Sequence, residues 1–171
     1  MPAGGNFIQD PAAHEGWEIQ GAGADDQVIR PCCTKNELSM KEDKTFAGSY
    51  PVRVGDINYG GHMGNDKALL LFHDARLHFL AGHGFSEQDI GGPGIIMGEA
   101  HVYFKKEVFR GDELRVYIHL EDVRELSFVM HYTVMRDETV VMTGNTRLIA
   151  FDYHKRKVVK LPGVFTRKVM A

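Results

Sequence analysis

Gly55-Asp56-Ile57-Asn58-Tyr59-Gly60-Gly61-His62-Met63-Gly64-Asn65-Asp66 separates two segments of different period. Upstream, Phe46 to Ile57 reads as a strand, with β-formers at Phe46, Tyr50, Val52 and Val54 and with Pro51 marking an edge or bend. Downstream, Asn65 to about Ala81 reads as a helix. Asn65 or Asp66 is a suitable N-cap, and Ala68, Leu71, Phe72, Ala75 and Phe79 fall on one stripe. Leu69, Leu70, Leu77 and Leu80 widen that stripe, which predicts a helix wrapped by other structure on nearly every side. Gly82 and Gly84 end it.

The junction concentrates polar groups suited to acid/base work or orientation: Asp56, Asn58, His62, Asn65 and Asp66. Its glycines let the backbone turn tightly and approach a ligand closely. It feeds a helix N-terminus, where unpaired N–H groups and the dipole stabilise developing negative charge. A carbonyl placed there meets an oxyanion site. His62 is of the residue type suited to base chemistry at neutral pH. Asn58 cannot accept a proton as a base; it can orient a water or hydrogen-bond a carbonyl. On a continuous strand, Asp56 projects to the same face as Asn58.

After a loop at 87–94, only strands follow: about Ile95–Val108, Glu113–Asp122, Ser127–Arg136, Thr139–Asp152 and a short Lys157–Leu161. Their connections have antiparallel hairpin lengths. One long helix followed by antiparallel strands is an α+β layer. Residues 1–45 lack either period, and eight acids there face four bases; they are expected to form a poorly packed arm, with Met40 as an alternative start. The patterned domain is expected over 46–163, with a basic tail at 164–171.

The chain has 171 residues and a formal charge of −3, which argues against general nucleic-acid binding. The longest apolar run, Ala68–Phe72, is far short of a membrane span, and the N-terminus lacks signal-peptide character. The two cysteines, Cys32 and Cys33, are adjacent, and no Cys/His zinc spacing exists. They read as free thiols of a cytoplasmic protein with no metal.

From Val54 to Phe85 the chain resembles the hot-dog acyl-CoA thioesterase superfamily, of the 4-hydroxybenzoyl-CoA thioesterase type. The matching residues are Asp56, Asn58, Gly61-His62 and Asn65, then Asp74-Ala75-Arg76, then Gly84-Phe85. Val102-Tyr103-Phe104, Gly111-Asp112-Glu113-Leu114 and the Thr146–Asp152 strand extend the likeness over about residues 47–162. The resemblance implies a long central helix wrapped by a curved antiparallel sheet of five or six strands. It implies a homodimer or dimer of dimers with active sites at the interface, and hydrolysis of an acyl-CoA or acyl-carrier-protein thioester. It requires no cofactor, coenzyme A being part of the substrate. Asn58 stands where much of the family has its catalytic carboxylate, so the base must come from elsewhere: Asp56, Asp66 or His62, or, as in another lineage of the fold with its carboxylate two turns into the helix, from near His73 and Asp74. Substrate-binding candidates are Met63, His73, Asp74, Met97, Glu99, Lys105 and Lys106. Asp74-Ala75-Arg76 also reads as an exposed charged patch. Glu99 and His101 are placed on one strand face with Ile95, Met97 and Tyr103. Alternatives are an enoyl-CoA hydratase or dehydratase, suggested by Gly55-Asp56-Ile57-Asn58, and a non-catalytic acyl-CoA-binding protein, suggested by Asn58.

Overall fold

The computed structural model describes residues 44–170. Their order is β1 (Thr45–Pro51), a 3₁₀ turn (Val54–Asp56), α1 (Asn65–Gly82), β2 (Gly94–Phe104), β3 (Glu113–Glu121), β4 (Ser127–Arg136), β5 (Thr139–Asp152), β6 (Lys157–Val158) and α2 (Gly163–Val169). The strands form one six-stranded sheet, β1-β3-β4-β5-β2, with β6 on the end of β5. Every pairing is antiparallel. No helix among the described residues is long and apolar enough to cross a membrane. The expected arm, with Trp17, Ile19, Val28 and Ile29, lies outside the described residues.

Alternation along the strands sends one set of side chains to α1 and the other to the opposite face. Leu114, Val116, Ile118, Phe128, Met130, Tyr132, Val134 and Leu148 are buried on the α1 side. They meet Ala68, Leu71, Phe72, Ala75, Phe79 and Leu80, the stripe read from the sequence together with Leu80. Phe72 stacks flat on Tyr132, with centroids 4.3 Å apart. Gly144 makes room for this stack, because a Cβ there would run into the Phe72 ring and the His101 carbonyl. This helix wrapped by one antiparallel sheet is the hot-dog architecture.

Several expectations change. The first strand stops at Pro51, because Arg53–Asp56 turns on itself: the Asp56 carboxylate accepts the Arg53 N–H at 2.8 Å. Asp56 and Asn58 therefore do not share a strand face. The N-cap of α1 is Gly64, not Asn65 or Asp66. The helix is not covered all round, since Leu69, Leu70 and Leu77 are exposed. Arg76 is buried rather than part of a surface patch. The strand expected to reach Val108 ends at Phe104. A bulge between Met97 and Glu99 shifts the period of β2 by one residue. Ile95 and Met97 consequently oppose Ala150 and Leu148 on the α1 side, while Glu99, His101 and Tyr103 oppose Arg147, Asn145 and Thr143 on the other face. The chain after 163 is more than a tail: it forms α2, whose Phe165 is fully buried between Phe85 and Phe128.

Candidate active site

The loop from Asp56 to Gly64 is built by its own backbone. Asn58 N–H bonds to the His62 carbonyl at 2.9 Å, and Gly61 N–H to the Asn58 carbonyl at 3.1 Å. Gly61 takes φ +83°, a conformation that favours glycine. The Asn58 side chain closes the turn by accepting the Gly60 N–H at 2.8 Å. Two further bonds fasten the loop to the domain: Gly64 N–H to the Asp56 carbonyl, and Met63 N–H to the Val108 carbonyl, each 2.8 Å. The second brings the loop against the segment that follows β2. There His62 Nδ1 meets Glu107 Oε1 at 3.1 Å.

This pairing is the site's main chemical feature. A histidine whose Nδ1 donates to a carboxylate is held in orientation and keeps the Nε2 lone pair accessible, the arrangement a general base requires. The His62 side chain is 35% exposed and that of Glu107 42%, so solvent can reach both. A pair this open contributes little to stability, about 0–1 kcal/mol.

The other expected catalytic groups fall into two sets. Asp56 is buried and committed to structure, accepting from Arg53 N–H and from the Tyr50 hydroxyl at 3.2 Å. Burial, then the Asp56 charge, raises the Tyr50 pKa and keeps that hydroxyl a donor. Asn58 and His62 lie together, both within 3.2 Å of where a Gly60 Cβ would stand. Asn65 and Asp66 open α1, where the first N–H groups have no partner within the helix. The Asp66 carboxylate is exposed, lies over Gly64 and pairs with Lys67 at 3.5 Å.

The binding candidates scatter. Met63 is buried beside His62. Lys105 and Lys106, both exposed, immediately precede Glu107. His73 and Asp74 are eight and nine residues along α1 from Asn65, about 12–14 Å away. His73 Nε2 is held by Glu87 at 3.0 Å, and Asp74 pairs with His78 at 3.5 Å. Met97 lies near the start of β2, ten residues before Glu107. Glu99 points away from α1 and pairs with Arg147 at 3.6 Å, so it does not line this site. Sequence reading missed Glu107, which has no motif around it and fell inside the strand expected to reach Val108.

A second polar cluster supports α1 from behind. Arg76 Nε donates to Glu87 Oε1 at 2.5 Å and its Nη1 to the Tyr132 hydroxyl at 3.4 Å. Tyr132 and Thr146 share a 3.0 Å hydrogen bond. Burial pushes the Glu87 carboxyl up, but the Arg76 bond and charge, with His73, outweigh it and leave the pKa below the usual carboxylate range. Burial raises the Tyr132 phenol, so it stays protonated.

The family model of the thioesterase-like superfamily matches residues 52–169, spanning both the junction and α2. The chain belongs to this superfamily. A curated protein of Aquifex aeolicus named "Putative esterase" is 28% identical over 78 residues, 44% of this chain and 61% of that relative's length. Among solved structures, a 1,4-dihydroxy-2-naphthoyl-CoA thioesterase from Synechocystis superposes with a TM-score of 0.66 at 20% identity, over 73% of this chain and 95% of the other. A Staphylococcus aureus protein solved in complex with CoA gives 0.67 at 20% identity, over 80% and 86%. At these identities the superpositions speak to the fold of this superfamily member.

Proposed function

We propose that this member of the thioesterase-like superfamily hydrolyses an acyl thioester, of coenzyme A or of an acyl-carrier protein, to the free acid and thiol. The observation that carries the reading is the His62–Glu107 pair beside the N-terminus of α1. The thioester carbonyl lies against the Asn65 and Asp66 N–H groups, which stabilise the oxyanion as it forms. His62 Nε2 takes a proton from water as the water attacks the carbonyl carbon, and returns it to the departing thiolate. The Asn58 amide group positions the water or the carbonyl. Asp56 shapes the loop and takes no proton. Asp66, at the solvent edge, is the competing base.

The reading includes a dimer. β2 ends the sheet with an unpaired edge, its Met97 and Phe104 are exposed, and Leu69, Leu70 and Leu77 of α1 are exposed as well. Pairing β2 with a second copy covers an edge that otherwise invites aggregation. His73, Asp74 and Met97, remote from His62 in their own chain, then serve the partner's site, and Lys105 and Lys106 attract the phosphates of coenzyme A. The domain in this reading runs from β1 through α2.

The test is free-thiol release from short, medium, long and aromatic acyl-CoAs. Release supports the proposal. Loss of enoyl absorbance without thiol would indicate hydration instead, and saturable binding without turnover would indicate a binding protein.

A further inference from the structure

The sheet face turned away from α1 carries three groups that the reaction does not use. His119 lies on β3, Glu121 two residues later on the same strand, and His131 directly opposite His119 on β4. The period of two puts all three on one face, opposite the buried Ile118 and the partly buried Leu120. His119 Nε2 is 3.1 Å from Glu121 Oε1, and His131 Nε2 is 3.2 Å from Oε2. Their possible ligand atoms all lie within 4.8 Å of one another.

We propose that His119, Glu121 and His131 form a Zn²⁺ site, separate from the His62 centre. Two imidazole nitrogens and a carboxylate are a familiar donor set for this ion. A tetrahedral zinc with bonds of about 2.0–2.1 Å separates its ligands by about 3.3–3.4 Å. The two nitrogen–oxygen separations already approach that length. The imidazoles stack at 4.9 Å with 16° between planes, so turning one ring converges the nitrogens. Glu121 is 58% exposed, which leaves an entry path and a place for water as fourth ligand. The nearby cation, Arg147, pairs with Asp122 at 3.0 Å and with Glu99 at 3.6 Å, while its Nη1 is buried without a hydrogen-bond partner. The scaffold is two paired strands rather than a loop, so the donors are held before the ion arrives.

His119 Nδ1 is buried without a hydrogen-bond partner. A ligand histidine ordinarily donates this N–H to an acceptor, and losing that partner costs about 10- to 100-fold in affinity. The site is therefore weaker than a four-ligand structural zinc site by at least that factor. Its occupancy would clamp β3 to β4. Zinc at 100 times its Kd would raise the folded-to-unfolded ratio about 100-fold.

The test is calorimetric titration of the chelator-stripped full chain with Zn²⁺, repeated with Co²⁺ to read its visible bands. Glu121→Gln, His119→Ala, His131→Ala and the double histidine variant are run alongside, and near-UV circular dichroism checks their folding. One equivalent of zinc that weakens at least tenfold in Glu121→Gln and vanishes in the double variant supports the site. Should the histidine variants not fold, Glu121→Gln decides alone, with zinc-induced NMR shifts at the His119 and His131 rings of the wild type. Binding unchanged in the variants, as from Cys32, Cys33 or other histidines, overturns it. So does a wild type that takes up no zinc at about 100 µM.

Discussion

Replacing Glu87 by Gln removes a charge from a buried partner. The Arg76 side chain is only 8% exposed, and Glu87, at 27%, supplies its counter-charge. Breaking a buried pair from one side costs about 3–5 kcal/mol, because the remaining charge is uncompensated. Gln retains an acceptor for Arg76 Nε, and the partial exposure of residue 87 admits water. These reduce the expected loss to about 2 kcal/mol. For a domain of this size that is a fall in Tm of about 5–10 °C. The assay is urea and thermal unfolding of wild type, Glu87→Gln, Arg76→Met and the double variant. In the Arg76→Met background the second substitution costs about 0.5 kcal/mol or less, since no buried cation remains to be stranded. The sign with pH follows from the lowered Glu87 pKa. The stabilisation from its charge is fully present above the unfolded value near 4.5 and is lost as pH falls through the folded value. The gap between wild type and Glu87→Gln therefore closes below about pH 4.5. Equal stability of the two proteins at pH 7, or an equal cost in both backgrounds, refutes the reasoning.

Gly144→Ala places a methyl against the Phe72 ring and the His101 carbonyl. The carbonyl belongs to the β2–β5 ladder and cannot yield, so a loss near the top of the 1–3 kcal/mol range for overpacking, about 3 kcal/mol, is expected in thermal denaturation. Gly60→Ala meets Asn58 Oδ1 at 3.1 Å and His62 Cε1 at 3.2 Å. Both lie in the open loop, so Tm holds while the misplaced base lowers kcat by up to about tenfold in the thiol-release assay. Glu107→Gln leaves a hydrogen-bond acceptor for His62 but no charge, and is expected to lower kcat about 10- to 100-fold with KM unchanged.

The long-range architecture was readable because it rests on period. The apolar positions Ala68, Leu71, Phe72, Ala75 and Phe79 recur as a helix requires, and all five are buried. The hairpin-length connections correctly announced antiparallel pairing. Period failed where one residue broke it: the bulge after Met97 moved Glu99 to the opposite face, and Asp56 ended the first strand by capping a turn. Single-chain burial also differs from periodicity. Leu69, Leu70 and Leu77 are apolar yet exposed. In the site, the junction residues could be named because they are contiguous. Glu107 could not, because the Met63–Val108 backbone bond brings it to His62 from across the fold. The same holds for His119, Glu121 and His131, whose meeting depends on the β3–β4 register.

The most direct measurement is the rate of thiol release by His62→Ala against wild type, on the acyl-CoA the wild type turns over best. Loss of a general base is worth about 10²–10⁴ in rate. The account predicts a fall in kcat of at least about 100-fold with Tm unchanged, since His62 is an open, half-exposed side chain. Full turnover by a folded His62→Ala protein would contradict it and pass the role of base to Asp66.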